Sequence, residues 1–157
     1  MRLVCDTDFL SALYKIERIG LIYEVFGVDT IYVTQAVMDE LAKAPFFYDF
    51  IRKTEKIERV VVDEVPSHIQ SAMLGPGEMH SISYALKTGS IFLSNDKKAG
   101  EFAEELGVVV LDIISFLIVC REIGIIGLND IEHIIELLKQ RDYMEFDEET
   151  KKMLLRK

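Results

Sequence analysis

Short apolar runs alternate with helical patterns along most of the chain. Leu3-Val4-Cys5, Ile31-Tyr32-Val33, Arg59 to Val62, Ile91-Phe92-Leu93 and Val108 to Leu111 read as strands, each a brief apolar or β-branched run next to polar or turn residues. Between them the apolar period changes. Phe9, Leu10, Leu13 and Ile16 mark one face of a helix over Phe9 to Ile19, which stops at Gly20, and Leu21 to Phe26 forms a second helix closed by Gly27. Thr34 is placed to cap a helix running through Ala44, and Pro45 ends it. Helices follow over Phe46 to Thr54, Ser67 to Leu74, Gly77 to Lys87 and Lys97 to Leu106, and the tail is helical over Ile113 to Gly124, Leu128 to Gln140 and Asp147 to Leu155. Strands separated by helices predict an α/β fold of three layers, with a mostly parallel sheet of about four or five strands covered on both faces.

This pattern gives four acids a shared location. Ligand crevices in such sheets lie outside the carboxyl ends of the strands. Asp6 and Asp96 each follow a strand, and Glu78 sits just inside a helix N-terminus behind Gly75-Pro76-Gly77, where the helix dipole favours a carboxylate. Glu40 lies almost two turns into its helix on the side of the apolar Val37, a costly place for an acid without a partner or a metal, whereas Asp39 turns elsewhere. Carboxylates gathered at one edge repel one another, and a divalent cation is the usual remedy. The four acids are therefore candidates for both metal ligation and catalysis.

Each signal also has an ordinary reading. Asp6-Thr7 is a common loop start, and Thr7 caps the next helix more readily than it orients Asp6. Ser94 and Asn95 are typical turn residues, and Gly75-Pro76 starts a helix without any chemistry. Lys97 and Lys98 cover a solvated helix face, or one of them meets a phosphate. Asp112 is a fifth acid, or more simply a helix cap. His80 points away from Glu78 as a rim residue, and His68 and His133 have no supporting partners. Asp6-Thr7-Asp8 also resembles the paired aspartates of haloacid-dehalogenase-type phosphatases, with Asp6 as nucleophile and Asp8 as acid/base, but Leu10 stands where that family has Thr or Val.

Composition narrows the choice. The chain has 157 residues, half of them apolar, which is enough to bury a core in one domain without disulfides. Cys5 and Cys120 lie in apolar runs and read as buried thiols of a reducing compartment. The apolar stretch from Gly107 to Cys120, broken by Asp112, is shorter than the ~20 residues of a membrane span, and the N-terminal apolar stretch is too short for a signal peptide, so the chain reads as cytoplasmic. A net charge of −9 argues against a broad nucleic-acid-binding surface. It leaves room for local cations at Arg52, Lys53, Lys56, Lys97, Lys98 and Arg121.

Val4-Cys5-Asp6-Thr7, Glu40-Leu41 after the second strand, Gly75-Pro76-Gly77-Glu78 before a helix of small residues, and Ser94-Asn95-Asp96 occur in an order that resembles the PIN-domain family, which includes VapC-type toxins and related metal-dependent nucleases. The tail around Gly124-Ile125-Ile126 is similar to a PIN subgroup described only as nucleic-acid-binding. The resemblance implies one PIN-like domain over 1–157, with an α/β core over 1–112 and C-terminal helices over 113–157. It implies Mg²⁺ or Mn²⁺ held by Asp6, Glu40, Glu78 and Asp96, supported by Thr7, Ser94 and Asn95, and hydrolysis of RNA by these residues. An antitoxin-like partner and a homodimer follow from the same likeness, with Ile113 to Val119 and Ile131 to Leu138 as interface helices or as core. Ala99-Gly100 departs from the subgroup's frequent Ala-Arg, and Asn95 replaces a frequent second aspartate.

Overall fold

The computed structural model describes residues 1–54 and 56–156. Among them the chain runs β1 (Leu3–Cys5), α1 (Thr7–Lys15), α2 (Gly20–Phe26), β2 (Ile31–Thr34), α3 (Gln35–Leu41), α4 (Phe47–Lys53), β3 (Ile57–Val60), α5 (Ser67–Gln70), α6 (Pro76–Thr88), β4 (Ile91–Leu93), α7 (Lys97–Glu105), β5 (Val110–Leu111), α8 (Ile113–Glu122), α9 (Leu128–Asp142) and α10 (Glu148–Leu154). The five strands form one sheet in the order β3-β2-β1-β4-β5, every pair parallel. After β1 the chain builds outward through β2 and β3, then returns to the other side of β1 for β4 and β5. The order reverses between β1 and β4, so the crevice of this open sheet lies at their carboxyl ends.

The period-2 alternation of a strand divides the core in two. Leu3 and Cys5 of β1 and Leu93 of β4 pack into a large cluster with Phe9, Leu13, Ile22, Val37, Phe116 and Ile134. Val4 and Phe92 point to the other face, among Ile69, Ile82, Ala85, Ala99 and Ala103 from α5, α6 and α7. Both faces of β1 are fully buried, which is why it reads as a continuous apolar run. Phe9 meets Phe116 edge to face with ring centroids 5.5 Å apart, tying α1 to α8.

Element existence matches the sequence expectation, but some boundaries move. The third strand occupies Ile57–Val60 rather than Arg59 to Val62, because its partner β2 offers only Ile31 to Thr34 before turning into α3. Val61, left without a partner strand, is 68% exposed. The fifth strand is Val110–Leu111, shortened because the Val108 amide closes α7 by donating to the Ala103 carbonyl. In α8 and α9, Ile113, Phe116, Leu117, Ile131, Ile134 and Leu138 are buried in the core of this one chain, so core packing accounts for their apolarity. Cys5 and Cys120 are buried and unpaired. No described helix is long and apolar enough to cross a membrane.

Candidate active site

Asp6 is the residue at which β1 ends and α1 begins. Its amide donates to the Leu93 carbonyl at 3.0 Å, which fastens it to β4, and its Oδ1 caps α1 by accepting from the Phe9 amide at 3.0 Å. The other oxygen, Oδ2, accepts from the Ser94 hydroxyl. Only 4% of Asp6 is exposed. Burial pushes its carboxyl up to about 7, although the Ser94 and Phe9 hydrogen bonds pull the other way and the charges of Asp8 and Glu78 add to the rise.

Ser94 links two acids rather than serving one. Besides donating to Asp6, its oxygen accepts from the Asp96 amide at 3.2 Å. Asp96 caps α7, accepting from the Ala99 amide at 2.8 Å, and Asp112 caps α8 in the same manner through Ser115 at 2.7 Å. Asn95 is bonded to the backbone. Its Oδ1 accepts from the Ile113 amide at 3.3 Å and holds the start of α8 against the end of β4.

Glu40 reaches the site from α3. Its Oε2 accepts from the Thr7 hydroxyl at 2.5 Å and its Oε1 from the Gly77 amide at 3.1 Å, so one carboxylate joins the first turns of α1 and α6. Thr7 therefore holds Glu40, and the helix cap that sequence reasoning gave it belongs to Asp6. Asp39 is exposed and bonds Gln35 on its own helix at 2.7 Å, as the helical phase predicts. Glu78 lies in the first turn of α6 and curls back over Gly75. A Cβ at Gly75 would lie 2.6 Å from Glu78 Oε2, and one at Gly77 would lie 2.5 Å from Glu40 Oε1. Both glycines make room for carboxylates.

Asp6, Thr7, Asp8, Glu40, Gly77 and Glu78 line one small cleft of about 20 Å³, space for a single water or bare ion. Asp96 opens into a neighbouring depression of about 330 Å³ shared with Ser94, Asn95 and Asp112. The two are electrostatically continuous. Glu78 is raised first by burial and then by the charges of Glu40, Asp96 and Asp8, and Asp8 is raised by burial and then by Asp142, Asp96 and Glu40. Asp8 is thus a fourth carboxylate at the cleft, beside Asp6, Glu40 and Glu78. In the sequence it entered only as half of a phosphatase pair. Its signal was its place two residues past a strand-end aspartate, in the first turn of α1.

The basic residues beside Asp96 differ in availability. Lys98 donates to the Met73 carbonyl at 3.1 Å, which ties the loop before α6 to the start of α7. Lys97 is 90% exposed and 4.0 Å from Glu101. Arg121 donates to the Met153 and Leu154 carbonyls and anchors α10.

The donors gathered here are hard carboxylate oxygens, the set that suits Mg²⁺ or Mn²⁺ rather than a soft metal. As placed, no three described His, Cys, Asp or Glu side chains stand close enough to hold one ion together. Three of the carboxylates are instead turned to local donors: Asp6 to Ser94 and Phe9, Glu40 to Thr7 and Gly77, Asp96 to Ala99. The residue types, the buried acid and the ion-sized cleft fit a divalent cation, provided these carboxylates exchange hydrogen bonds for it.

A family model described as a PIN domain matches residues 2–157. The chain belongs to the PIN-domain family. PIN domains are generally nucleases and typically use divalent metal ions. Among solved structures, the chain is similar to a PilT N-terminus domain protein from the hyperthermophilic archaeon Sulfolobus solfataricus P2, at 17% identity over 94% of this chain and 98% of that one, with a TM-score of 0.47. A search of curated proteins gave no match.

Proposed function

We propose that this PIN domain is a metal-dependent endoribonuclease that hydrolyses RNA phosphodiester bonds. The observation that carries the proposal is Asp6: a carboxylate almost entirely buried, facing Glu40, Glu78 and Asp8 across an ion-sized cleft at the point where the strand order reverses. Such a group among like charges either keeps its proton, as burial favours here, or is ionised beside a compensating cation, which is the state a nuclease would use.

Asp6, Glu40, Glu78 and Asp96 would hold Mg²⁺ or Mn²⁺. When bound, such an ion activates water and offsets charge on the phosphate oxygens. Ser94 orients Asp6 and, through the Asp96 amide, fixes the spacing of the two strand-end acids. Thr7 and the Gly77 amide fix the Glu40 carboxylate from opposite sides. Asp8, at the rim, is placed to orient water entering the cleft. The acidity of the site keeps the phosphodiester away until a cation is present, so cleavage depends strictly on metal.

The single PIN-like domain over 1–157, the toxin half of a toxin–antitoxin pair, a homodimer and a cytoplasmic setting belong to the same proposal and rest on the family likeness. A second reading, a PIN-like interaction module without turnover, is favoured by the incomplete ligand shell and by Gly100 in place of the subgroup's frequent Arg. A haloacid-dehalogenase-type phosphatase is not adopted, because the PIN family model accounts for the chain from residue 2 to its end.

The deciding experiment is Mn²⁺-dependent cleavage of a mixed RNA panel by wild type beside Asp6→Asn. Cleavage that needs metal and vanishes in the variant supports the nuclease. Metal binding by wild type without cleavage of any RNA supports the module.

A further inference from the structure

In a chain with 27 acidic and 18 basic residues, three cations converge on one concavity two helical turns from the acid cleft. The cavity, about 600 Å³, is lined by Lys15 from the end of α1, Lys53 and Thr54 from the end of α4, Arg141 from the end of α9, and Gly20 at the start of α2. Glu17 is the one acid in its lining. Building on the ribonuclease reading, we infer that this cavity receives a backbone phosphate of the RNA strand whose neighbouring segment lies in the acid cleft.

Helix α1 connects the two places. Asp8 and Lys15 are seven residues apart, close to two full turns, so they share a face about 10 Å apart along the axis. At the end of α9, Asp142 Oδ1 is 2.9 Å from Lys15 Nζ and ties that helix to the end of α1. The Arg141 guanidinium donates to the Lys15 carbonyl at 3.1 Å, which fixes α9 against the end of α1 and carries its charge to the cavity.

Lys15 is held by Asp142, whereas Arg141 and Lys53 are paired more loosely. Arg141 lies 3.7 Å from Glu17, whose side chain is 74% exposed, and Lys53 lies 3.3 Å from Asp49, which Arg52 also pairs at 2.9 Å. Exposed pairs of this kind contribute little and exchange readily. A phosphate entering the cavity can therefore recruit Lys53 and Arg141 while Arg52 keeps Asp49 neutralised. The Thr54 hydroxyl adds a neutral donor. The cavity answers the objection that net charge raises against RNA binding: attraction needs only a local gathering of cations, and three line this cavity.

The test is binding of a 5′-labelled single-stranded RNA to the full chain in EDTA, where hydrolysis stops, read by fluorescence anisotropy across salt concentrations. Two variants probe the cavity in opposite ways. Lys53→Ala/Arg141→Ala removes the cations. Gly20→Asp inserts a carboxylate while leaving all three in place; a Cβ there meets nothing within 4 Å, and an acid suits a helix start. Each is expected to weaken binding about tenfold and to lower the salt slope by about one to two. Lys139→Ala, which removes a charge elsewhere on α9, should leave binding unchanged.

Mn²⁺-dependent cleavage measured in parallel separates this inference from the nuclease reading. Both variants should raise KM for a long RNA and leave turnover of a dinucleotide unchanged. Cleavage by wild type with unaltered RNA binding in both variants would overturn the cavity and leave the nuclease standing. Weakened binding in the variants with no cleavage by any protein would keep the cavity and overturn the nuclease. Competition by a nucleoside monophosphate as strong as by an oligonucleotide would assign the cavity to free nucleotide and overturn the strand track.

Discussion

The Thr7 hydroxyl donates to Glu40 Oε2 across 2.5 Å, joining the first turn of α1 to the last turn of α3. The Gly77 amide is the other protein donor to that carboxylate. Thr7→Val keeps the shape and removes the donor. A hydrogen bond to a charged group contributes about 1.5–3 kcal/mol, so urea unfolding should show a loss at the lower end of that range with an unchanged m-value. Cleavage should fall further than stability, and Thr7→Ser should restore both. Equal cleavage by Thr7→Val and wild type would remove Thr7 from the site.

Gly77→Ala separates stability from activity in the opposite sense. Alanine favours the helix by roughly 0.8–1 kcal/mol over glycine, yet its Cβ would lie 2.5 Å from Glu40 Oε1. The Glu40 carboxylate is the far end of a flexible side chain and can move aside. The expected result is stability within about 1 kcal/mol of wild type and a strong loss of metal-dependent cleavage. Unchanged cleavage would mean that the position of Glu40 does not matter.

Asp6 gives the protein an unusual dependence on pH. Its carboxyl titrates at about 7 when folded, against an ordinary value of 3.8. Between those values the unfolded chain has released the proton and the folded chain still holds it. Folded protein binds more protons there, so in EDTA its stability should fall as pH rises from about 4 to about 7, by an amount on the order of 3 kcal/mol. Glu78 and Asp8 are also raised and add to the same slope. Asp6→Asn should be shallower in that window and more stable at pH 7.5. Parallel pH profiles for the two proteins would show that burial of Asp6 carries no such penalty.

Divalent metal should reverse this loss. The ion binds ionised carboxylates, so Mn²⁺ affinity should rise with pH up to about 7 and binding should release protons. At a concentration of 100 times Kd the ion should add about 2.7 kcal/mol of stability. Differential scanning calorimetry with and without Mn²⁺ checks this, and the increment should vanish in Asp6→Asn. An equal increment in both proteins would place the metal elsewhere.

Asp39→Asn is the contrast one residue from Glu40. Asp39 is exposed and bonded only to Gln35, so its replacement should change stability by less than about 0.5 kcal/mol and leave cleavage at the wild-type rate. A substantial loss would mean that the turn of α3 has been assigned to the wrong face.

Much of the site was legible because local rules place it. Asp6 and Asp96 follow short apolar runs and precede helices, and the structure gives each the capping bond that such a position offers. Helical phase distinguished Glu40 from Asp39. Other parts were not legible, for a common reason. The bond from Thr7 to Glu40 spans 33 residues and that from Ser94 to Asp6 spans 88, and no local pattern reports such a meeting. Thr7 looked like a helix cap because its neighbour Asp6, with the same local opportunity, takes that place. The third strand shifted by two residues because its length is set by β2 and not by its own valines.

The sequence alone determined the alternation of strands and helices, the acids at strand ends and the turns that precede helices, because propensity, capping and period act over a few residues. The tertiary structure decided which acids share a cleft, that Asp8 joins them, how deeply Asp6 is buried and how three scattered cations meet beside α1. Burial and the field of neighbouring charges are properties of the packed chain. They exist only once β1 lies between β2 and β4 and the helices have closed over the sheet.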